Sequence, residues 1–386
     1  MRIAVIADDL TGALDTGVQF SNWGLTVQVT DDPLSSQADV VVVNTDSRGL
    51  EPGKAYDLVF SVAGKVSGFD VIYKKTDSTL RGNVGVEIQA VLDATGEETA
   101  VLTPCYPPTA RSVKDGHLLV EGVPVDMTEY SSEHGSRQSY IPDLIRTQEM
   151  GPVIHLGESS DIQNHSGIIV IDSETEADLL KIAGSLRGHK VIAGSAGLAA
   201  AIAENMANPS PVLSVIGSRR TVSRRQARAL EHRLGAVLIP LDVHVALNRV
   251  PQAVAVQTAI EALEEGRDVI ITSAPDPETV EKTVRVAASF GLSSNELELR
   301  ITNSLANTAK KVIEQTPLSG VILSGGATAM AVCVALSVKE ISIIEELRPG
   351  IPLLRLDDIN AVTKAGGFGE PDALIQASQY LKRKHR

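Results

Sequence analysis

Val40-Val41-Val42-Val43 is an unbroken run of β-branched residues. A strand with one face in water alternates apolar and polar side chains, so a continuous run needs cover on both faces, as in a parallel sheet flanked by helices. The same grammar fills the first hundred residues. Residues 3–7, 26–30, 40–44, 71–73 and 100–103 read as strands, with amphipathic or Ala-rich segments in most of the gaps. The pattern predicts a doubly wound α/β sheet, in which right-handed crossovers leave ligand sites at the carboxyl ends of the strands. Chemistry is therefore to be sought in the residues that follow each strand.

From residue 104 to about 166 the texture changes to Pro, Ser, Gly and charged residues, which predicts long loops, an excursion or a lid. Alternation resumes with strands at 167–171 and 191–193 and helices from Glu174 and over 197–205. Ala207-Asn208-Pro209-Ser210-Pro211 then carries a linker signal. The boundary is placed there, giving domains 1–208 and 209–386. In the second domain residues 212–216, 236–240, 268–272, 320–323 and 341–344 read as strands, with helices between them and a terminal helix from Asp372. The basic tail 382–386 reads as a solvated helix end that complements the helix dipole. The expected class is α/β, two domains each built on a mostly parallel sheet flanked by helices.

Composition removes several function classes. The 386 residues include 48 acidic and 35 basic side chains, a formal net charge of -13, and only 3% aromatics. A nucleic-acid partner calls for a basic field and stacking platforms, and neither is supplied in bulk. No apolar stretch reaches the ~20 residues that span a bilayer, so no membrane partner is expected. Two cysteines, Cys105 and Cys333, and a start MRIAVIADD without a signal-peptide pattern suit a reduced cytoplasmic protein. The histidines show no HExxH pattern and no CxxC occurs, so no zinc site is read from the sequence and metal ligands stay unassigned.

Six strand exits stand out. Ile6-Ala7-Asp8-Asp9-Leu10-Thr11-Gly12 places two adjacent carboxylates between a buried strand and a helix. One of them can cap the helix, which leaves the other to function. Tyr73-Lys74-Lys75-Thr76-Asp77-Ser78-Thr79-Leu80-Arg81-Gly82-Asn83 gathers cations, hydroxyls and a carboxylate, the groups a small polyhydroxy acid requires. Asn44-Thr45-Asp46-Ser47-Arg48 is a third polar exit on the same predicted rim. In the second domain Leu323-Ser324-Gly325-Gly326-Ala327-Thr328, Val362-Thr363-Lys364-Ala365-Gly366-Gly367-Phe368-Gly369 and Ile216-Gly217-Ser218 are small-residue turns of the kind that bind phosphate through backbone N–H groups. GxxxxGK[ST] and GxGxxG are both missing, so any nucleotide site is of another type.

Taken in order, ADDLTGALDTGVQF, NTDSR, YKKTDSTLRGNVGVE, SGGATA and VTKAGGFG resemble the four-carbon acid sugar kinases, in particular the D-threonate and D-erythronate kinase branch. The resemblance implies a sugar-acid-binding N-terminal domain, a nucleotide-binding C-terminal domain and an active site in the cleft between them. It implies transfer of phosphate from ATP, with Mg²⁺, to the terminal hydroxyl of a four-carbon acid. D-threonate is the first substrate expected, D-erythronate or a 3-oxo-tetronate the alternatives, and a homodimer is compatible. Carried over by motif, Asp9, Arg48, Lys75, Asp77, Ser78, Thr79, Leu80, Arg81 and Asn83 form the substrate side. Asp9 or Asp77 is then the catalytic carboxylate, and Arg48, Lys75 and Arg81 include the clamp on the acid. Ser218, Gly325, Gly326, Ala327, Thr328, Gly366 and Gly367 form the ATP side.

Three departures accompany the resemblance. Ala327 stands where the family often has Glu, residues 351–357 lack the glycines expected near adenine or ribose, and the stretch 104–111 is atypical. The 3-oxo-tetronate kinases resemble the chain less, lacking its Lys-Lys and Arg-Gly-Asn pattern. A non-catalytic sugar-acid sensor would use the first rim alone and would not need three glycine-rich exits. An NAD-type oxidoreductase is opposed by the missing GxGxxG.

Overall fold

The structure is a computed structural model that describes residues 1–133, 138–146, 151–247, 249 and 252–384. It comprises two compact units, Met1–Asn208 and Pro209–Arg386. His385 and Arg386 of the basic tail lie outside the described residues.

The first unit begins with β1 (Ile3–Ala7), α1 (Leu10–Ser21), β2 (Val27–Val29), β3 (Val40–Asn44), α2 (Pro52–Lys65), β4 (Val71–Lys75), α3 (Val84–Thr95) and β5 (Thr99–Thr103). It continues through β6 (Arg111–Lys114), β7 (His117–Val120), β8 (Val123–Pro124), α4 (Ile141–Arg146), β9 (Val153–Leu156), β10 (Gly167–Ile171), α5 (Glu176–Ser185), β11 (Val191–Gly194) and α6 (Ala196–Ala207). Eight strands form one sheet in the order β2-β3-β1-β4-β11-β5-β10-β9, and every neighbouring pair is parallel. Helices α1 and α6 pack together, as do α2 and α3. The valine run of β3 is buried between such layers, which is why it carries no polar alternation.

The tract from 104 to 166 departs from the loop expectation. Strands β6, β7 and β8 make a separate antiparallel sheet, and β9 joins the edge of the main one. These strands are two to four residues long, too short to display a period. Their hairpins turn on Asp115-Gly116 and Glu121-Gly122, all four residues at positive φ, the two-residue geometry that matches strand twist.

The second unit contains β12 (Val212–Ile216), α7 (Thr221–Leu234), β13 (Val237–Pro240), α8 (Val243–Ala246), α9 (Ala253–Glu264), β14 (Val269–Thr272), α10 (Pro277–Ser289) and α11 (Ser294–Ile313). Next come β15 (Gly320–Ser324), α12 (Gly326–Leu336), β16 (Ile341–Arg348), β17 (Ile351–Leu356), β18 (Ile359–Lys364) and α13 (Ala373–Lys384). The sheet order is β13-β14-β12-β15-β18-β17-β16, parallel as far as β18 and antiparallel over β18-β17-β16. Residues 351–357, read as a segment short of glycines, are in fact mostly strand β17. Among the described residues no helix is long and apolar enough to cross a membrane.

Candidate active site

In the first unit β3, β1, β4, β11 and β5 are consecutive in the sheet, and the residues after their carboxyl ends surround a cavity of about 290 Å³. The strand order reverses between β1 and β4, the place where open parallel sheets leave a crevice. Asp9, Arg48, Lys75, Asp77, Ser78 and Arg81 line this cavity.

Local chemistry explains the first turn. Asp9 has extended backbone and caps α1, accepting from the Gly12 amide at 2.8 Å. Its other oxygen accepts from Arg48 Nη1 at 2.7 Å. Asp8 is buried and takes the other side of the same guanidinium, Nε at 2.7 Å and Nη2 at 3.0 Å. Arg48 is thus spent on two carboxylates of the protein.

Asp77 is equally engaged. It accepts from the Thr79 amide at 3.0 Å, Thr79 Oγ1 at 2.6 Å, Arg81 Nε at 3.1 Å and Arg81 Nη2 at 2.9 Å. Burial opposes its ionisation, yet the bonds from Arg81 and Thr79 and the charges of Arg81 and Arg48 outweigh it and hold its carboxyl well below the usual range. These residues build a rigid rim.

Lys75 differs. Its ammonium donates to the Thr76 carbonyl at 2.7 Å, and among the described residues no carboxylate lies within ion-pairing distance. Burial lowers its proton affinity, while Asp8, Asp77 and Asp9 partly offset that. A Cβ on Gly12 would sit 2.9 Å from Lys75 Nζ and 2.6 Å from Asp9 Oδ1, so only glycine leaves the ammonium its place. Lys74, next in sequence, projects elsewhere, to Glu87 at 2.7 Å with both side chains buried. The cations Arg48, Lys74, Lys75 and Arg81 therefore separate into a buried structural pair made by Lys74, two arginines held by aspartates, and Lys75.

Thr79, Leu80 and Asn83 do not line the cavity. Thr79 supports Asp77, Leu80 is buried, and Asn83 ties the Ser47 and Leu50 carbonyls at 3.3 and 2.9 Å. The cavity instead adds Thr11, Asp15, Tyr106, Thr109, Arg111 and Ser195, none of them singled out from the sequence. Arg111 donates to the Thr109 carbonyl and to Tyr130 Oη at 2.9 Å and stacks over the Tyr130 ring. No ion pair reaches it among the described residues. The signal that would have found these groups is the strand-exit rule itself, since Tyr106 follows β5 and Ser195 follows β11.

In the second unit a cavity of about 700 Å³ is lined at one end by Gly217, Ser218, Gly325, Gly326, Ala327, Thr328 and Gly366. Gly367 lies beside it, its missing Cβ facing Arg220. Helices α7 and α12 begin here after the adjacent strands β12 and β15, and neither has a side-chain cap. Uncapped amides at a helix start are suited to an anion. Arg219 and Arg220 line the same end. Buried Lys364 donates to Ser324 Oγ at 3.2 Å, and Ser223 Oγ links that hydroxyl to the Gly366 carbonyl at 2.7 Å. The opposite wall is apolar, with Val280, Val284, Ala287, Leu292 and Leu297 from α10, α11 and the turn joining them.

Known proteins resemble the chain along its length. Residues 3–202 match the family described as a sugar-binding N-terminal domain, and residues 213–374 the one described as a nucleotide-binding C-terminal domain. A D-threonate kinase of Salmonella typhimurium is 31% identical, covering 100% of this chain and 99% of the relative. A D-erythronate kinase of Heliobacterium modesticaldum is 29% identical over 99% of this chain and 98% of its own. A crystal structure of a Bordetella bronchiseptica protein, a domain-swapped dimer with bound citrate, is 30% identical, covers 99% of each chain and superposes with a TM-score of 0.59. With both halves matched in order and full-length relatives above 30% identity, the chain belongs to the four-carbon acid sugar kinase family.

Proposed function

We propose that the chain is a cytoplasmic kinase that transfers phosphate from ATP to the terminal 4-hydroxyl of a four-carbon sugar acid, D-threonate before D-erythronate. The observation that carries this reading is Lys75, a buried ammonium on a small polar cavity with no carboxylate of its own. Leaving such a charge unpaired is costly, and an acid ligand relieves the cost. Arg111, also without an ion-pair partner among the described residues, is the second cation for that carboxylate. Arg48 and Arg81, expected in the clamp, instead fix Asp8, Asp9 and Asp77, and of these Asp9 and Asp77 line the cavity beside the ligand's hydroxyls. Names borne by the relatives in Salmonella typhimurium and Heliobacterium modesticaldum support the choice of acids.

On the nucleotide side, the starts of α7 and α12 with Arg219, Arg220 and Lys364 supply donors and charge for the phosphates, and the apolar wall suits a base. Among the described residues no group of three or more His, Cys, Asp or Glu is placed to hold a metal. Mg²⁺ in this reading is held mainly by the nucleotide phosphates and one or two carboxylates. When bound, the ion neutralises charge on the transferring phosphate. Transfer is chiefly positioning and charge neutralisation, so turnover requires both the acid and ATP to be bound.

Unpaired Cys105 and Cys333 support a reducing compartment. A homodimer is proposed as well, supported by the dimeric Bordetella bronchiseptica structure and by edge strand β16, where Ile341 and Ile343 are exposed.

The test is ADP release with Mg²⁺ and a panel of four-carbon acids. The reading expects release that depends on the acid, with D-threonate giving the highest kcat/KM. Release indifferent to every acid would refute it, and acid binding without ADP release would favour a sensor.

A further inference from the structure

Three carboxylates line the sugar-acid cavity: Asp9, Asp15 and Asp77. Asp9 is committed to the Gly12 amide and Arg48, and Asp77 to Arg81 and Thr79. A base is best supplied by a carboxylate that no cation of the protein already grips, and Asp9 is gripped by Arg48 and Asp77 by Arg81. Asp15 is not. It lies one turn beyond Thr11 on α1, half-buried, and its carboxylate has a single hydrogen bond, from Gln19 Nε2 at 3.5 Å. Among the described residues no ion pair reaches it.

Its surroundings are those of a base rather than an anchor. Burial raises its proton affinity, and the partial offsets from Lys75 and Gln19 do not cancel the rise. The titratable groups facing it are Lys75 and Tyr73 from β4 and Tyr106 after β5. Neighbouring α6 begins with uncharged Ala196-Gly197-Leu198, and β1, β2 and β3 present no charged side chain to α1.

We propose that Asp15, rather than Asp9 or Asp77, takes the proton from the hydroxyl that is phosphorylated. This rests on the kinase reading above. As the hydroxyl oxygen bonds to the γ-phosphorus, its proton passes to Asp15 Oδ. The bond between that phosphorus and the β–γ bridging oxygen breaks, and its electron pair leaves with ADP. Asp15 then returns the proton to water, so atoms and charge balance. Lys75 lies beside both Asp15 and the missing Cβ of Gly12.

The experiment uses the full chain with ATP, Mg²⁺ and the acid that supports wild-type turnover. Absence of any acid-dependent ADP release by the wild type would defeat the kinase reading itself. Given wild-type activity, Asp15→Asn is expected to lower kcat about 100-fold to 10,000-fold with both KM values within about threefold. Asp15→Glu should restore part of that loss. A deprotonated base is required, so wild-type kcat should fall as pH drops through a value above the ordinary Asp range, and that acid limb should vanish from the residual rate of Asp15→Asn. Wild-type kcat in Asp15→Asn, or an increase in KM alone, would overturn the assignment. If Asp15→Asn does not fold, the wild-type profile decides: a kcat with no acid limb above the Asp range overturns it equally.

Discussion

The guanidinium of Arg48 grips Asp8 with two parallel bonds, Nε to Oδ2 at 2.7 Å and Nη2 to Oδ1 at 3.0 Å, and so fastens the exit of β3 to the exit of β1. The Arg48 side chain is 24% exposed, so stripped of that partner it keeps a charge that water reaches only in part. Asp8→Ala is expected to cost about 1 to 3 kcal/mol in urea unfolding and to reduce kcat, because Asp9 loses its fixed position with Arg48. Arg48→Lys should behave nearly as badly, since an ammonium cannot make the paired bonds. A variant with unchanged unfolding midpoint and turnover would contradict this role.

Lys74 and Glu87 form a second pair, at 2.7 Å and essentially excluded from solvent, with Ser47 Oγ also donating to Glu87 at 2.6 Å. Glu87→Gln leaves a buried ammonium uncompensated and should destabilise the protein by about 3 kcal/mol or more. Lys74→Met combined with Glu87→Leu should recover much of it. Calorimetric unfolding of the single and double variants checks both statements, and neither KM should respond beyond what the loss of fold explains.

Lys75→Met removes the cation assigned to the acid. KM for the acid should rise roughly 10-fold to 100-fold, the worth of one charge-assisted hydrogen bond, with KM for ATP unchanged. Arg111→Met should act in the same direction. Equal effects on both substrates would point to a loss of structure and away from a carboxylate contact.

Lys364 is 4% exposed, with Ser324 as its hydrogen-bond partner and no ion pair among the described residues; burial pulls its ammonium down to about 8. The sign follows from the charge. Below about 8 the side chain is a cation that favours phosphate, and above it the charge and that contribution are lost. ATP affinity measured by titration calorimetry should therefore weaken between pH 7 and pH 9, and Lys364→Met should bind ATP roughly 10-fold to 100-fold more weakly and lose this pH dependence. A wild-type affinity that is flat across the interval would remove Lys364 from the phosphate site.

What the sequence revealed was whatever sits beside its own strand. Asp9, Lys75, Ser78 and the turn at Gly325 were legible because each follows an apolar run, in β1, over residues 71–73 of β4 and in β15, and the rule about strand exits needs nothing else. Partnerships were not legible. That Asp8 would hold Arg48, or that Lys74 would face Glu87 while Lys75 faced the cavity, depends on the pleat and on neighbours some 40 and 13 residues away. Arg111 was hidden in a stretch whose strands are too short for a period, although Asp115-Gly116 is a hairpin signal. Asp15 was overlooked because interest stopped at the helix start, whereas α1 brings back the same face one turn later.

The central claim is the bond that is made. With D-threonate, ATP and Mg²⁺, phosphorus NMR of the product distinguishes the outcomes, because a phosphate on the terminal CH₂ couples to two protons and one on C2 or C3 to a single proton. A phosphomonoester triplet appearing in step with ADP is expected. Inorganic phosphate alone, or a doublet, would contradict it.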